Sequence, residues 1–295
     1  STSSATSSSN SNGYSLTFLP SKFSILSQNT WLSFVAGGAN RRQRIQCLLD
    51  HIGRDQPDII CLQELFIFAL GPFLLCGDFE YLHHRLVQFG YRHHSDPAQT
   101  LPSLWGGNSG LMVYSKYALE TCDSSAFDPE IRRSFSAKGW MSATFKLSAT
   151  SGMNRLSLIN THLEHEKRDY KLSQLRVIDE QLQCNEGNAL RMCLGDFNIC
   201  SNHTFEQRYR DGDRLYNILE DLMTANGMEH DLIKDEERTF RVTEKEPNAA
   251  YDHVFVNQKV KDAVVSTQIV DYSDTENDVV ASDHYGLLVT VDMNT

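Results

Sequence analysis

The chain is short of positive charge, of paired thiols and of long apolar runs. Lys and Arg number 27 against 38 Asp and Glu, a formal charge of −11 over 295 residues. That deficit argues against a broad basic surface for gripping nucleic acid. Phosphate chemistry stays open, because a bound cation supplies positive charge locally. The seven cysteines (Cys47, Cys61, Cys76, Cys122, Cys184, Cys193 and Cys200) form no CxxC pair and no Cys/His zinc spacing. Their odd number, with Cys61 and Cys193 inside apolar runs, favours free thiols and a reducing compartment. Asn202-His203-Thr204 fits a glycosylation sequon, a triplet common by chance, so secretion is not excluded. The longest apolar block, LFIFALGPFLLC from Leu65 to Cys76, has twelve residues. A membrane span needs about 20. With no signal peptide visible, a soluble or peripheral membrane protein is expected.

What is present has an ordinary globular composition, 40% hydrophobic and 22% charged. Residues 1–21 begin STSSATSSSNSNG and read as a disordered Ser-rich tail. Residues 22–295 read as one catalytic domain without internal repeats. Strands are expected at 23–28, 58–62, 110–114, 139–147, 155–160, 190–194, 252–256 and 285–291. Helical spacing marks 40–53 (Ile45, Leu48, Leu49 and Ile52, with Gly53 as stop), 79–89, 167–184 and 213–226, the last closed by Gly227. Strands outnumber helices. The expectation is an α/β fold of two stacked, mostly antiparallel sheets with helices outside.

Residues able to bind metal or phosphate sit where these strands end or begin. Asn29 follows FSILSQ, Glu64 follows DIICLQ, His162 follows RLSLINT, and Asp196 and Asn198 follow LRMCLG. Asp252 opens HVFV, and Asp283-His284 opens YGLLVTV. Taken singly, each is as well explained by a turn, a strand end or a rim histidine. Together they converge on one rim if strand ends and strand starts share an edge. Clustered carboxylates repel unless a cation sits among them. The set is oxygen-rich and free of thiolate, which suits Mg²⁺, with Mn²⁺ as a substitute, over zinc. Phosphate-ester hydrolysis is the chemistry that follows.

The ordered pieces Gln28-Asn29-Thr30-Trp31, Leu62-Gln63-Glu64, Asn160-Thr161-His162-Leu163, Gly195-Asp196-Phe197-Asn198, Tyr251-Asp252-His253 and Ser282-Asp283-His284 carry a resemblance. The chain resembles the metal-dependent endonuclease/exonuclease/phosphatase superfamily, which includes DNase I-like nucleases, inositol polyphosphate 5-phosphatases and neutral sphingomyelinases. Within it, Gly107-Asn108-Ser109-Gly110-Leu111-Met112-Val113-Tyr114-Ser115-Lys116, Thr161-His162-Leu163-Glu164-His165-Glu166 and Lys138-Gly139 look most like the neutral sphingomyelinases. The resemblance implies a four-layer, DNase I-like α/β sandwich. It implies that Glu64, Asn29 and Asp283 hold the metal and that His284 is the general base oriented by Asp252. It further implies that Asp196 and Asn198 position water and phosphate, that His162 stabilises the phosphorane, and that Lys138 contacts a phosphate oxygen.

By the same resemblance, the expected activity is Mg²⁺-dependent phosphodiester hydrolysis at a phospholipid headgroup, sphingomyelin giving ceramide and phosphocholine. The expected partner is a phospholipid or membrane surface touched peripherally; no obligate protein partner is implied. The block Leu65–Cys76 is read either as a buried packing segment or as an apolar lip pressed into lipid. The alternative is a DNase I-like nuclease acting on nucleic acid, since GDFN is also common there. It would use the compact basic clusters Arg41-Arg42-Gln43-Arg44 and Arg132-Arg133. The doublets His83-His84 and His93-His94 read as surface histidines.

Overall fold

The computed structural model describes residues 18–32, 40–70, 73–96, 105–127, 137–148, 155–165, 167–183, 189–201, 214–233, 237–241 and 249–294. Arg132-Arg133, Cys184 and the sequon at 202–204 lie outside them. The packed chain begins earlier than Lys22. Leu19 is buried and bridges Leu147, so the last residues assigned to the tail join the core.

The elements in chain order are β1 (Lys22–Asn29), α1 (Arg41–Asp55), β2 (Ile59–Gln63), β3 (Phe68–Leu70), β4 (Phe73–Leu75), α2 (Gly77–Gln88), β5 (His93–His94), β6 (Trp105–Gly107), β7 (Met112–Ser115) and β8 (Leu119–Ala126). Then come β9 (Gly139–Lys146), β10 (Arg155–His162), α3 (Arg168–Gln183), β11 (Leu190–Asp196), α4 (Leu215–Ala225), β12 (His230–Asp231), β13 (Asp252–Val256), α5 (Gln258–Ala263), β14 (Val264–Val270), β15 (Ser273–Asp274), β16 (Val279–Val280) and β17 (Gly286–Asp292). Every expected strand and helix is present. Helix α1 runs past Gly53 to Asp55, and it is Gln56, at φ 47°, that takes the left-handed cap.

Two six-stranded sheets result, in the orders β14-β17-β1-β2-β7-β5 and β12-β13-β11-β10-β9-β8. Each has one parallel pair at its centre, β1 with β2 and β10 with β11, and is otherwise antiparallel. Parallel pairing makes both strands of a pair exit at one end of the sheet. The antiparallel neighbours β13 and β17 start at that same end. This is why the exits at 29, 63, 162 and 196 and the starts at 252 and 286 meet.

The sheets stack face to face. Phe23, Ile25, Ile59, Cys61 and Val113 of one pack on Phe145, Leu156, Leu158, Met192 and Val254 of the other. The outer face of the first sheet is covered by α1 and α2 through Leu26, Ile60 and Leu62. The outer face of the second is covered by α3 and α4 through Ile159, Cys193 and Phe255. That is a DNase I-like four-layer sandwich, each strand alternating its side chains between the central and an outer layer.

The alternation also writes the site. Along β10, Leu158, Asn160 and His162 share the central face two residues apart. Along β1 the series is Ile25, Ser27, Asn29. Apolar core thus gives way to an amide layer and then to the functional rim. In the amide layer, Gln63 Nε2 donates across the sheets to Asn160 Oδ1 (2.8 Å) and, within its own sheet, to Ser27 Oγ (3.2 Å). Asn160 Nδ2 donates back to the Leu62 carbonyl (3.0 Å). Losing one such partner would strand a buried polar group, at about 1–3 kcal/mol.

Candidate active site

The rim brings together the residues that the sequence singled out. Asp196 ends β11, after Gly195 at φ 132°. A Cβ on Gly195 would lie 2.0 Å from the Thr161 carbonyl oxygen, so only glycine lets β11 press this closely against β10. Asp196 Oδ1 accepts the Asn198 amide (2.9 Å), and its Oδ2 accepts from the Asn29 carboxamide (3.0 Å). These bonds join the second sheet's rim to the first. Asn198, left-handed at φ 50°, donates from Nδ2 to the Leu163 carbonyl (3.0 Å).

His284 Nδ1 meets Asp252 Oδ2 at 2.7 Å, and its Nε2 lies 3.8 Å from Asp196 Oδ2. The Phe240 ring stands edge-on to the imidazole at 4.9 Å. Thr239 Oγ1 accepts the Asp252 amide at 3.0 Å, fixing the carboxylate from its own backbone. Burial alone would push the imidazole down, but the Asp252 and Asp196 carboxylates outweigh it and hold it up at about 10. Burial raises Asp196 as well, despite the charge of His284.

His162 is buried, and its Nε2 faces Lys138 Nζ (2.5 Å), Asp196 Oδ2 (3.3 Å) and Glu64 Oε1 (3.7 Å) at once. Burial, and then the Lys138 charge, push this imidazole well below its usual value. Lys138 Nζ also lies 3.3 Å from Nδ1, so the ammonium, which has no lone pair, donates to the ring.

Glu64 sits at the exit of β2 in a left-handed conformation, φ 59°. It makes no hydrogen bond among the described residues. Asp283 lies 4.0 Å from His284 Nε2. Burial lifts Asp283 to about 6, with the Glu64 charge adding to the rise and His284 and Arg44 opposing it. Asn29 Oδ1 accepts the Trp31 amide at 2.9 Å and keeps a second lone pair.

One grouping here has the geometry of a divalent-ion site: Asp196, Asp252 and His284, with ligand atoms within 4.8 Å of one another. His284 Nδ1 is committed to Asp252, which leaves Nε2 to face an ion. Glu64 and Asp283 are a second acidic pair, close enough for the Glu64 charge to raise Asp283. Carboxylate oxygens of this kind suit Mg²⁺.

The structure adds residues that sequence reading did not reach. His253, buried on the outer face of β13, meets Asp231 Oδ2 at 2.7 Å with Nδ1 and the Ile199 carbonyl at 2.8 Å with Nε2. Both ring nitrogens face acceptors, so the ring is an imidazolium anchoring the loop that carries Asp196 and Asn198. Lys171 of α3 donates to the next carbonyl back, that of Asn198. His253 was visible beside Asp252, but its partner stands 22 positions away and carries no motif.

Likeness to solved structures supports this fold. Sphingomyelinase C from Streptomyces griseocarneus superposes with a TM-score of 0.62 at 16% identity, over 92% of this chain and 99% of that one. Beta toxin from Staphylococcus aureus with bound magnesium ions gives 0.61 at 16%, over 91% and 99%. A humanized D. rerio TDP2 gives 0.60 at 18%, over 92% and 98%. No curated protein matches the chain. Residues 26–284 match the Endonuclease/Exonuclease/phosphatase family. The chain belongs to that family and is a phosphoric diester hydrolase.

Proposed function

We propose that this hydrolase is a Mg²⁺-dependent phosphodiesterase acting on a phospholipid headgroup ester, with sphingomyelin cleaved to ceramide and phosphocholine. The observation that carries the lipid reading is the segment after Glu64. The block Leu65–Cys76 is neither wholly buried nor wholly a lip. Leu65, Phe66, Ile67 and Phe68 are buried, while β3 and β4 form a hairpin on which Phe73 is 71% exposed and Leu75 37% exposed. The hairpin is rooted in the site's wall. β3 pairs with β6, and the Leu65 amide donates to the Gly110 carbonyl at 2.9 Å. A protruding apolar edge beside a phosphodiester site fits a lipid surface.

The nuclease reading keeps little of its Arg41-Arg42-Gln43-Arg44 cluster, and Arg132-Arg133 lie outside the described residues. Arg41 is tied to Asp78 at 2.6 Å, Arg42 lies 4.0 Å from the Tyr81 ring centroid, and Arg44 is buried. The first of these carries at most a balanced charge. The sphingomyelinase C likeness agrees with the lipid reading; the family's nuclease members keep the nucleic-acid arm in the test.

In the proposed reaction Glu64, Asn29 and Asp283 would hold the metal, which would supply positive charge beside the phosphate and weaken the carboxylates' hold on the His284 proton. The neutral form of His284 takes a proton from water at Nε2, with Asp252 keeping the ring's tautomer and stabilising its charged form. The water oxygen bonds to phosphorus as the bond to the lipid oxygen breaks; the leaving oxygen takes a proton from solvent, and His284 returns to solvent the one it took. Asp196 and Asn198 position the water and a non-bridging oxygen. Lys138, seated on His162, stabilises the charge on the phosphorane.

The test is a Mg²⁺-dependent assay offering sphingomyelin vesicles, DNA and RNA in parallel. Phosphocholine release alone is the expected result. Nicked DNA without lipid cleavage overturns the lipid reading.

A further inference from the structure

Arg44 stands in the first turn of α1, yet its side chain points inward and is 4% exposed. Nη2 donates to the carbonyls of Thr30 (3.0 Å), Trp31 (3.0 Å) and Ala281 (3.1 Å). Nε also reaches Ala281 O, at 3.2 Å. The Trp31 ring covers the guanidinium, with Cζ 4.4 Å from its centroid. These carbonyls belong to two different loops. One is the exit of β1 immediately after Asn29. The other leads directly into Asp283-His284.

Arg44 therefore links the two sides of the rim through main-chain atoms. Nη2 alone, with its two protons shared, meets all three carbonyls while Nε adds a second bond to Ala281; a lysine amine ends one bond short of Nη2 and has no second nitrogen for Ala281. Burial lowers the guanidinium; the fields of Asp283 and Glu64 oppose that and favour its charged form, and Arg44 in turn favours the ionised form of Asp283.

We propose that Arg44 is a positioning residue of this active site: it fixes the Asn29 loop against the Asp283-His284 loop and supplies a permanent positive charge behind Glu64 and Asp283. Its charge offsets part of their repulsion before a divalent ion arrives. This rests on the reading that Glu64 and Asp283 form the metal side.

The test compares the full-length wild type with Arg44→Gln and Arg44→Lys. Thermal unfolding is followed in EDTA and in saturating MgCl₂, and turnover is followed on bis(p-nitrophenyl) phosphate. Arg44→Gln keeps two donors and loses the charge. Its Mg²⁺-induced rise in Tm should exceed the wild-type rise by roughly 2–4 °C. Arg44→Lys keeps the charge and loses the fork. Its Mg²⁺ rise should match wild type while kcat falls at least about tenfold with KM nearly unchanged, as expected for lost alignment. A wild-type Mg²⁺ shift that Arg44→Gln does not enlarge overturns the counter-charge and leaves the metal reading standing. Wild-type kcat in Arg44→Lys overturns the clamp, and does so even if Arg44→Gln does not fold. No Mg²⁺ shift in wild type removes the metal side itself, and the counter-charge with it.

Discussion

Asp252-His284 and Glu64-Asp283 stand on the same rim, but they are built differently. The first pair is buried and hydrogen-bonded at 2.7 Å, with Thr239 fixing the acid and Phe240 backing the ring. The second pair is half open, and Glu64 has no hydrogen bond among the described residues. One half is assembled by the fold. The other holds negative charge for which the fold supplies only partial compensation. On the proposed reading, a site divided this way takes its proton chemistry from the chain and its electrophile from a bound ion.

The largest expected effects fall on the assembled half. His284→Ala or Asp196→Ala should reduce turnover roughly 10²–10⁴-fold, the scale of a lost acid–base or positioning group, with the circular dichroism spectrum unchanged. Near-wild-type rates with matched metal would sink the assignment. Glu64→Gln should behave differently. Its apparent Mg²⁺ requirement should rise, with part of kcat recovered at high Mg²⁺. If His284→Ala shifted the Mg²⁺ requirement as strongly as Glu64→Gln, the two halves would not be distinct.

Much of this division was legible in the sequence, because a strand end is readable from an apolar run and one polar residue. Glu64 after DIICLQ and Asp196 after LRMCLG needed nothing more. The two sheets and their covering helices followed from periods of two and 3.6. The edge strand β8, LETCDSSA, escaped because its burial alternates only between half-buried and exposed, leaving little apolar signal. Arg44 escaped for the opposite reason. In RRQR it looks like a solvated charge, and only the fold shows the carbonyls of residues 30, 31 and 281 converging on it. Partners far apart in sequence, such as His253 with Asp231, leave no pattern to read.

A second effect sharpens the contrast between what the chain completes and what it leaves to a partner. Phe73 and Leu75 have no core to enter. Phe73→Asp with Leu75→Asp should cut hydrolysis of vesicle sphingomyelin by roughly tenfold or more, since burying one such side chain is worth about 1.5–3 kcal/mol. Hydrolysis of a water-soluble phosphodiester should be unchanged. Equal loss on both substrates would mean that the hairpin supports the site's wall and not lipid contact.

The smallest effect extends the comparison to titration, since histidines in this chain move in opposite directions. His284 is held up by two carboxylates. His83, on α2, packs on Phe79 at 5.5 Å and edge-on to His94 at 4.7 Å, with its Nδ1 on Tyr114 Oη at 3.2 Å. His83 and His93 are thus half-buried, while His84 and His94 are the surface histidines expected. Burial, then His94 and His84, lower His83 below its usual 6.5. The unfolded chain consequently binds more protons than the folded one between the lowered value and 6.5. Stability from this group is complete above 6.5 and declines as pH falls through that window. His83→Gln removes the group, so the variant should lose less Tm than wild type between pH 7 and pH 5, by a degree or two at most for a half-exposed site. The check is a pair of melting curves in EDTA, which keeps the metal side out of the measurement. A variant with the same acid slope as wild type would place the pH sensitivity in another group that folding lowers, such as His93, which burial and then His94 push down.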